Sequence, residues 1–139
     1  MNVILRGKDQ YIIRLDPDEE LFSTLTSFTE KEGIRAGSFS AIGTAKEVVL
    51  SWYNLAEKRY EDAAIADDLE ILSVTGNLAE LDGKPIIHAH GCVGDRGLRV
   101  TGGHLKKLVT LATCEIHFQK LEGALSRAYD PNTGLNLLS

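Results

Sequence analysis

Apolar residues recur at every second position along most of this chain, and at every third or fourth in one segment only. That segment is "RLDPDEELFSTLTSFTEKEGI", where Leu21, Leu25 and Phe28, joined by Phe22, fall on one face of a helix. Its start reads as Asp16 in the N-cap position, Pro17 at the first helical position and Glu19 three residues after the cap. Asp18, Glu19 and Glu20 would then fill the first turn, where carboxylates complement the helix dipole. Gly33 is the expected stop. A helix with one apolar face needs a surface to lie on.

The remaining pattern supplies that surface as strands. "QYIIRL" precedes the helix, and "AGSFSAIGTAKEVVLSWYNL" follows it with Gly37 and Gly43 as bends. "DLEILSVTGNLAEL" ends in the turn signal "LDGKP", and "KPIIHAHGCVG" and "LRVTGGHL" flank a second turn at "DRG". "LVTLATCEIHFQKLEG" closes the sheet region, "KRYEDA" is short and polar, and the tail "SRAYDPNTGLNLLS" reads as loop around Pro131, Asn132 and Gly134. Strands that follow one another through tight turns, with one helix, predict an α+β fold: an antiparallel-rich β-sheet with one main α-helix packed on it. The 139 residues suit a single domain, 1–139, large enough for a real core.

Three of the four histidines, His88, His90 and His104, lie in "PIIHAHGCVGDRGLRVTGGHL". Alternation along a strand puts His88 and His90 on one face, about 6.6 Å apart. A three-residue loop of Asp95, Arg96 and Gly97 would pair Gly94 with Leu98 and set His104 opposite His88. A two-residue turn would instead place His104 opposite Ala89, on the wrong face, and a bulge at Gly102-Gly103 would also change the register. In the first register three imidazoles converge, a donor set that suits zinc or another late divalent ion with a fourth position open. Cys92 shares the face but ranks below the histidines, and His117 is expected to be a half-buried strand residue. For a general base beside an ion, Asp95, Glu70 and Asp130 are candidates without a spacing argument.

Composition narrows the classes. The chain is 43% hydrophobic and 25% charged, as globular domains are. No apolar run approaches the ~20 residues that a bilayer requires, and "MNVILRGKDQYIIRL" lacks the apolar core of a signal peptide. A cytoplasmic setting with no membrane partner is therefore expected. Cys92 and Cys114 stand apart in apolar runs and are expected to be buried free thiols. A net charge of −5, with scattered lysines and arginines and no Arg-Gly-Arg-Pro hook, speaks against direct DNA binding without a basic partner. No G-x-S-x-G, H-E-x-x-H, P-loop or G-x-G-x-x-G is present, so nothing marks a catalytic residue.

In this order, "GIRAGSFSAIGTAKEVVLSWYN", "LEILSVTGNLA", "KPIIHAHGCVGDRGLRVTGGHL" and "SRAYDPNTGL" resemble the plant and prokaryote conserved (PPC) domain. The most specific elements are H-x-H followed by Gly-Gly-His, with "GSFSAIG" upstream. The resemblance implies an α+β fold, a homotrimer, and a histidine trio at His88, His90 and His104 at which some members are thought to bind metal. It also carries a DNA-binding label, which in plants accompanies an AT-hook. Arg35, Gly37, Ser38 and Gly43 match the family's "GI-x-x-G-S-F" segment, and Arg35, Gly102 and Gly103 join the candidate site. Arg35 reads either as an anion ligand of a pocket or interface or as a solvated charge. The function expected is a stand-alone binding or regulatory module, homotrimeric, holding zinc or another divalent metal and recognising a small ligand or protein partner. The alternative is a metal-dependent enzyme acting on a small molecule.

Overall fold

Two long strands, β3 (Gly37–Asn54) and β7 (Val100–Lys120), organise the chain. The computed structural model describes residues 1–139. Around them stand β1 (Asn2–Arg6), β2 (Gln10–Leu15), α1 (Leu21–Glu32), β4 (Arg59–Ile65), β5 (Leu69–Leu81), β6 (Lys84–Gly94), β8 (Arg127–Asp130) and β9 (Leu135–Leu138). The seven-stranded sheet runs β1-β2-β7-β6-β5-β3-β4, and β7 also pairs with β3. The ladder β3-β5-β6-β7 therefore returns to β3 and closes on itself, which removes most of the free edge. Every pair within it is antiparallel. The antiparallel-rich sheet with one helix is thus as expected, and the helix is short, 12 residues.

Leu21, Leu25 and Phe28 of α1 are buried against Ile13, Leu15, Ile116 and Phe118 in one 23-residue core. The fully enclosed leucines and isoleucines each contribute about 1.5–3 kcal/mol of transfer free energy. Phe118 is the hub: its ring centroid lies 6.0 Å from Phe28, edge to face, and 6.5 Å from Phe39, stacked. Gly33 ends the helix in the left-handed region, φ 64°, as the pattern predicts.

Three expectations need correction. The helix starts at Leu21, not after Asp16: Glu20 is the N-cap, accepting from the Phe22 and Ser23 amides at 3.1 and 2.8 Å. The preceding residues are held out of the helix because Asp18 donates its amide to the Thr110 carbonyl and Glu19 accepts from the Thr110 amide. Asp18 adopts φ 71°, so the acidic run forms a turn instead of a first helical turn. "LRVTGGHL" and "LVTLATCEIHFQKLEG" merge into the single strand β7. The tail is no loop but the hairpin β8–β9, with Pro131–Gly134 as its turn.

Candidate metal centre

The histidines meet, through a register different from the one expected. Gly94 pairs with Val100, which puts His104 opposite His90, not His88. The loop holds five residues because Asp95 closes it: its amide donates to the Arg99 carbonyl at 3.0 Å, and its carboxylate accepts from the Arg99 amide at 3.0 Å and Nε at 2.8 Å. Leu98 takes φ 60° inside it. The shift from the expected register is two residues, and a two-residue shift preserves the face of every side chain.

Ring centroids of His88 and His90 are 5.2 Å apart, His88 and His104 5.0 Å, and His90 and His104 5.3 Å. One ligating nitrogen from each falls within 4.8 Å of the others. Gly102 and Gly103 make this approach possible from the backbone. A Cβ on Gly102 would stand 2.7 Å from the Gly91 carbonyl oxygen, and one on Gly103 2.9 Å from that of Ser51. Both glycines thus serve strand packing beside His104 and offer no ligand atom.

The environment favours the neutral form of two of the imidazoles, His88 and His104. Burial and the neighbouring imidazoles push His104 down to about 4; burial, Arg127 and His90 lower His88. Neutral imidazole is the form that ligates a metal. Nδ1 of His104 is buried without a hydrogen-bond partner, although buried polar nitrogens are normally satisfied. Three convergent imidazole nitrogens, with Nδ1 of His104 orphaned, fit a divalent transition ion.

Several neighbours carry no signal in the sequence. The ring of Tyr60, from the polar β4, stacks on His104 with centroids 4.6 Å apart. Tyr53 lies 4.8 Å behind Tyr60, and Lys106 Nζ sits 4.6 Å over the Tyr60 ring. Asp62 accepts from Ser51 Oγ at 2.6 Å and Lys106 Nζ at 2.7 Å, and its charge counters part of the depression at His104. A cleft of about 330 Å³ opens beside His88 and His104, bounded by Tyr60, Ile86 and Arg127. Alternation could have put Tyr60 and Asp62 on one face of β4; nothing in the sequence pairs that face with His104.

The other candidates lie elsewhere. Arg35 is gripped by Glu80 through Nε at 2.9 and 3.0 Å and Nη2 at 2.6 Å, an exposed ion pair outside the histidine cluster. Asp95 belongs to the loop, Asp130 caps the β8–β9 turn through the Thr133 hydroxyl at 2.7 Å, and Glu70 is exposed opposite Gly94. None of the three joins the cluster. Cys92 is exposed, contrary to expectation, because it shares the outward face of β6; Cys114 is buried as expected. His117 is exposed, not half-buried, and sits opposite Ile12 and Ser40 at the far end of β7.

The profile of the Plants and Prokaryotes Conserved (PCC) domain matches residues 5–122. The chain belongs to the PCC-domain family. Among solved structures, this PCC domain is similar to the metal-containing protein AF0104 from Archaeoglobus fulgidus, at 34% identity and TM-score 0.89 over 100% of this chain and 99% of that one. It is also similar to a plant- and prokaryote-conserved protein from Pyrococcus horikoshii, at 30% identity and TM-score 0.89 over 98% and 97%. A candidate DNA-binding protein from Bacteroides thetaiotaomicron aligns at 27% identity and TM-score 0.93 over 97% and 94%. No curated protein matches the sequence. No helix of this PCC domain is long and apolar enough to cross a membrane.

Proposed function

We propose that this PCC domain is a metal-binding module, homotrimeric, in which His88, His90 and His104 hold a divalent transition ion, zinc foremost. One observation carries the reading: three imidazole nitrogens within 4.8 Å of one another. The orphaned Nδ1 of His104 supports it, and so does the similarity to a protein described as metal-containing. Zinc suits an all-imidazole set, and three protein ligands leave a position for an outside group. For the trimer, exposed Leu72 and Val100 flank Gly94 on the sheet surface with Leu98 nearby, apolar area that a neighbouring subunit would cover. Equilibrium dialysis with elemental analysis tests the ion: about one zinc per chain is expected, falling well below that in His88→Ala and His104→Ala. Metal-free protein at stoichiometric zinc would overturn the reading, and light scattering that reports a stable monomer would overturn the trimer.

DNA binding, the description carried by two similar proteins, fits this chain poorly. A net charge of −5 opposes polyphosphate, and Arg6, Arg14, Arg35, Arg59, Arg96 and Arg99 all stand within ion-pair distance of carboxylates. A low-salt gel shift without retardation is the expected result. A second reading, a metal-dependent enzyme on a small molecule, is favoured by the cleft that reaches His88 and His104.

A further inference from the structure

Arg127 is the one arginine of the chain without a carboxylate. The other six each stand within 4.0 Å of one. Arg127 is also half-buried, where an uncompensated charge costs more than at an exposed position. Burial lowers its affinity for its proton, which marks the same unfavourable setting. Of its five N–H groups, Nη1 donates to the Asn136 carbonyl at 2.9 Å and Nη2 to Asn77 Oδ1 at 2.8 Å. Both acceptors are neutral, and Nε is buried with no partner.

The two acceptors fix the guanidinium in place. Asn77 pairs with His88 across β5 and β6, so the group that aims Arg127 is the cross-strand neighbour of a histidine of the trio. The other side is the β8–β9 hairpin, tied down by Tyr53 Oη donating to the Thr133 carbonyl at 2.6 Å and Lys58 Nζ to the Pro131 carbonyl at 2.5 Å. Between them lies the 330 Å³ cleft. No acidic residue lines it, its only permanent charge is Arg127, and Ile86, Ile87, Leu135 and Leu137 supply apolar wall. The hairpin that carries Arg127, Leu135 and Leu137 lies beyond residue 122, outside the stretch that the family profile matches.

We propose that this cleft binds a small aliphatic carboxylate, with the carboxylate on Arg127, the hydrocarbon against the Ile86–Ile87 and Leu135–Leu137 walls, and one end toward the histidines. A single fixed cation matches a monoanion, and a planar guanidinium matches a planar carboxylate. Apolar walls on two sides match a short hydrocarbon and disfavour a fully hydrated oxyanion. The proposal names the ligand class of the site above and rests on the metal reading only for the end that faces the histidines.

Isothermal titration of butyrate into the full chain, zinc-loaded and metal-free, tests it alongside the zinc content of each sample. Saturable binding is expected in the zinc-loaded protein, weakened at least tenfold in Arg127→Gln. Because Arg127 also braces the hairpin, Leu137→Glu provides a second variant: it places a competing carboxylate in the cleft at a side chain that is 42% exposed and removes neither acceptor of Arg127, Asn77 Oδ1 or the Asn136 carbonyl. It is expected to weaken butyrate to a similar degree with an unchanged melting temperature. Butyrate binding that survives both variants, or no binding to zinc-loaded protein, would overturn the proposal while leaving the metal reading intact. Inorganic phosphate binding as tightly as butyrate would overturn the role given to the apolar walls. Butyrate bound equally by metal-free protein, and lost in Arg127→Gln, supports the carboxylate pocket even where zinc content refutes the metal.

Discussion

Tyr60 lies face to face with His104, ring centroids 4.6 Å apart and planes 29° apart. The contact joins the edge strand β4 to the histidine trio and fixes the plane of the imidazole whose Nδ1 lacks a partner. Aromatic pairs of this kind are worth about 0.5–1.5 kcal/mol. Tyr60→Leu should therefore weaken zinc about two- to tenfold, read by competition with a chromogenic chelator, with stoichiometry unchanged. An affinity equal to wild type would mean that the stacking does not orient the ligand.

The glycines beside His104 offer a backbone test. In Gly103→Ala the new methyl would lie 2.9 Å from the Ser51 carbonyl oxygen, a backbone atom that cannot swing aside. The β3–β7 ladder must shift there, at about 1–3 kcal/mol, and the displacement should reach His104. A lower melting temperature together with weaker zinc binding is expected. Gly83→Ala is the control: it meets nothing within 4 Å and sits at a turn with φ 74°, so it should cost stability alone.

Acid should destabilise the domain through its paired carboxylates. The Arg35 hydrogen bond lowers Glu80 from its usual 4.5, and the Lys106 hydrogen bond lowers Asp62 from 3.8. A carboxylate with a depressed folded pKa contributes stability that is present above its unfolded pKa and is lost as pH falls through the folded one. Denaturant midpoints should therefore fall as pH drops below about 4.5. Glu80→Gln should flatten that slope. An unchanged slope would show that the exposed Arg35 pair contributes nothing to folding.

The two thiols should separate cleanly. Cys92 is exposed, while Cys114 is fully enclosed and burial pushes its thiol up to about 12. Ellman's reagent at pH 8 should react with one thiol in the native protein and with two in denaturant, because only the accessible thiolate attacks. Two fast thiols in native protein would contradict the placement of Cys114 in the core.

The sequence made some of this legible for definite reasons. Leu21, Leu25 and Phe28 announced the helix face because they have no other way to be buried together, and Gly33 marked its end. His88 and His90 had to share a face, since alternation is a property of any strand. His104 joined them although the expected register was wrong, because the five-residue loop differs from the three-residue one by two positions. The loop length itself depends on the Asp95 carboxylate reaching Arg99, a side-chain contact that turn residues do not advertise. The helix start moved to Glu20 because Thr110, 90 residues later, takes the preceding amide and carbonyl into the sheet. Tyr60, Asp62 and Arg127 reach the site through strand pairings made far along the chain, and short-range pattern carries no trace of them.

The long strand β7 pairs with β3 along most of its length, with β6 at its start and with β2 near its end. A strand of alternating side chains can slip by one residue and still satisfy its backbone, at the cost of turning every side chain over. Such a slip would send His104 to the opposite face, away from His88 and His90. An ion held by all three cannot bind a strand slipped by one residue, so it would add its binding free energy to the native alignment over that slip. The histidine site would thereby act as a proofreader of strand register, rewarding the fold for having zipped β7 correctly.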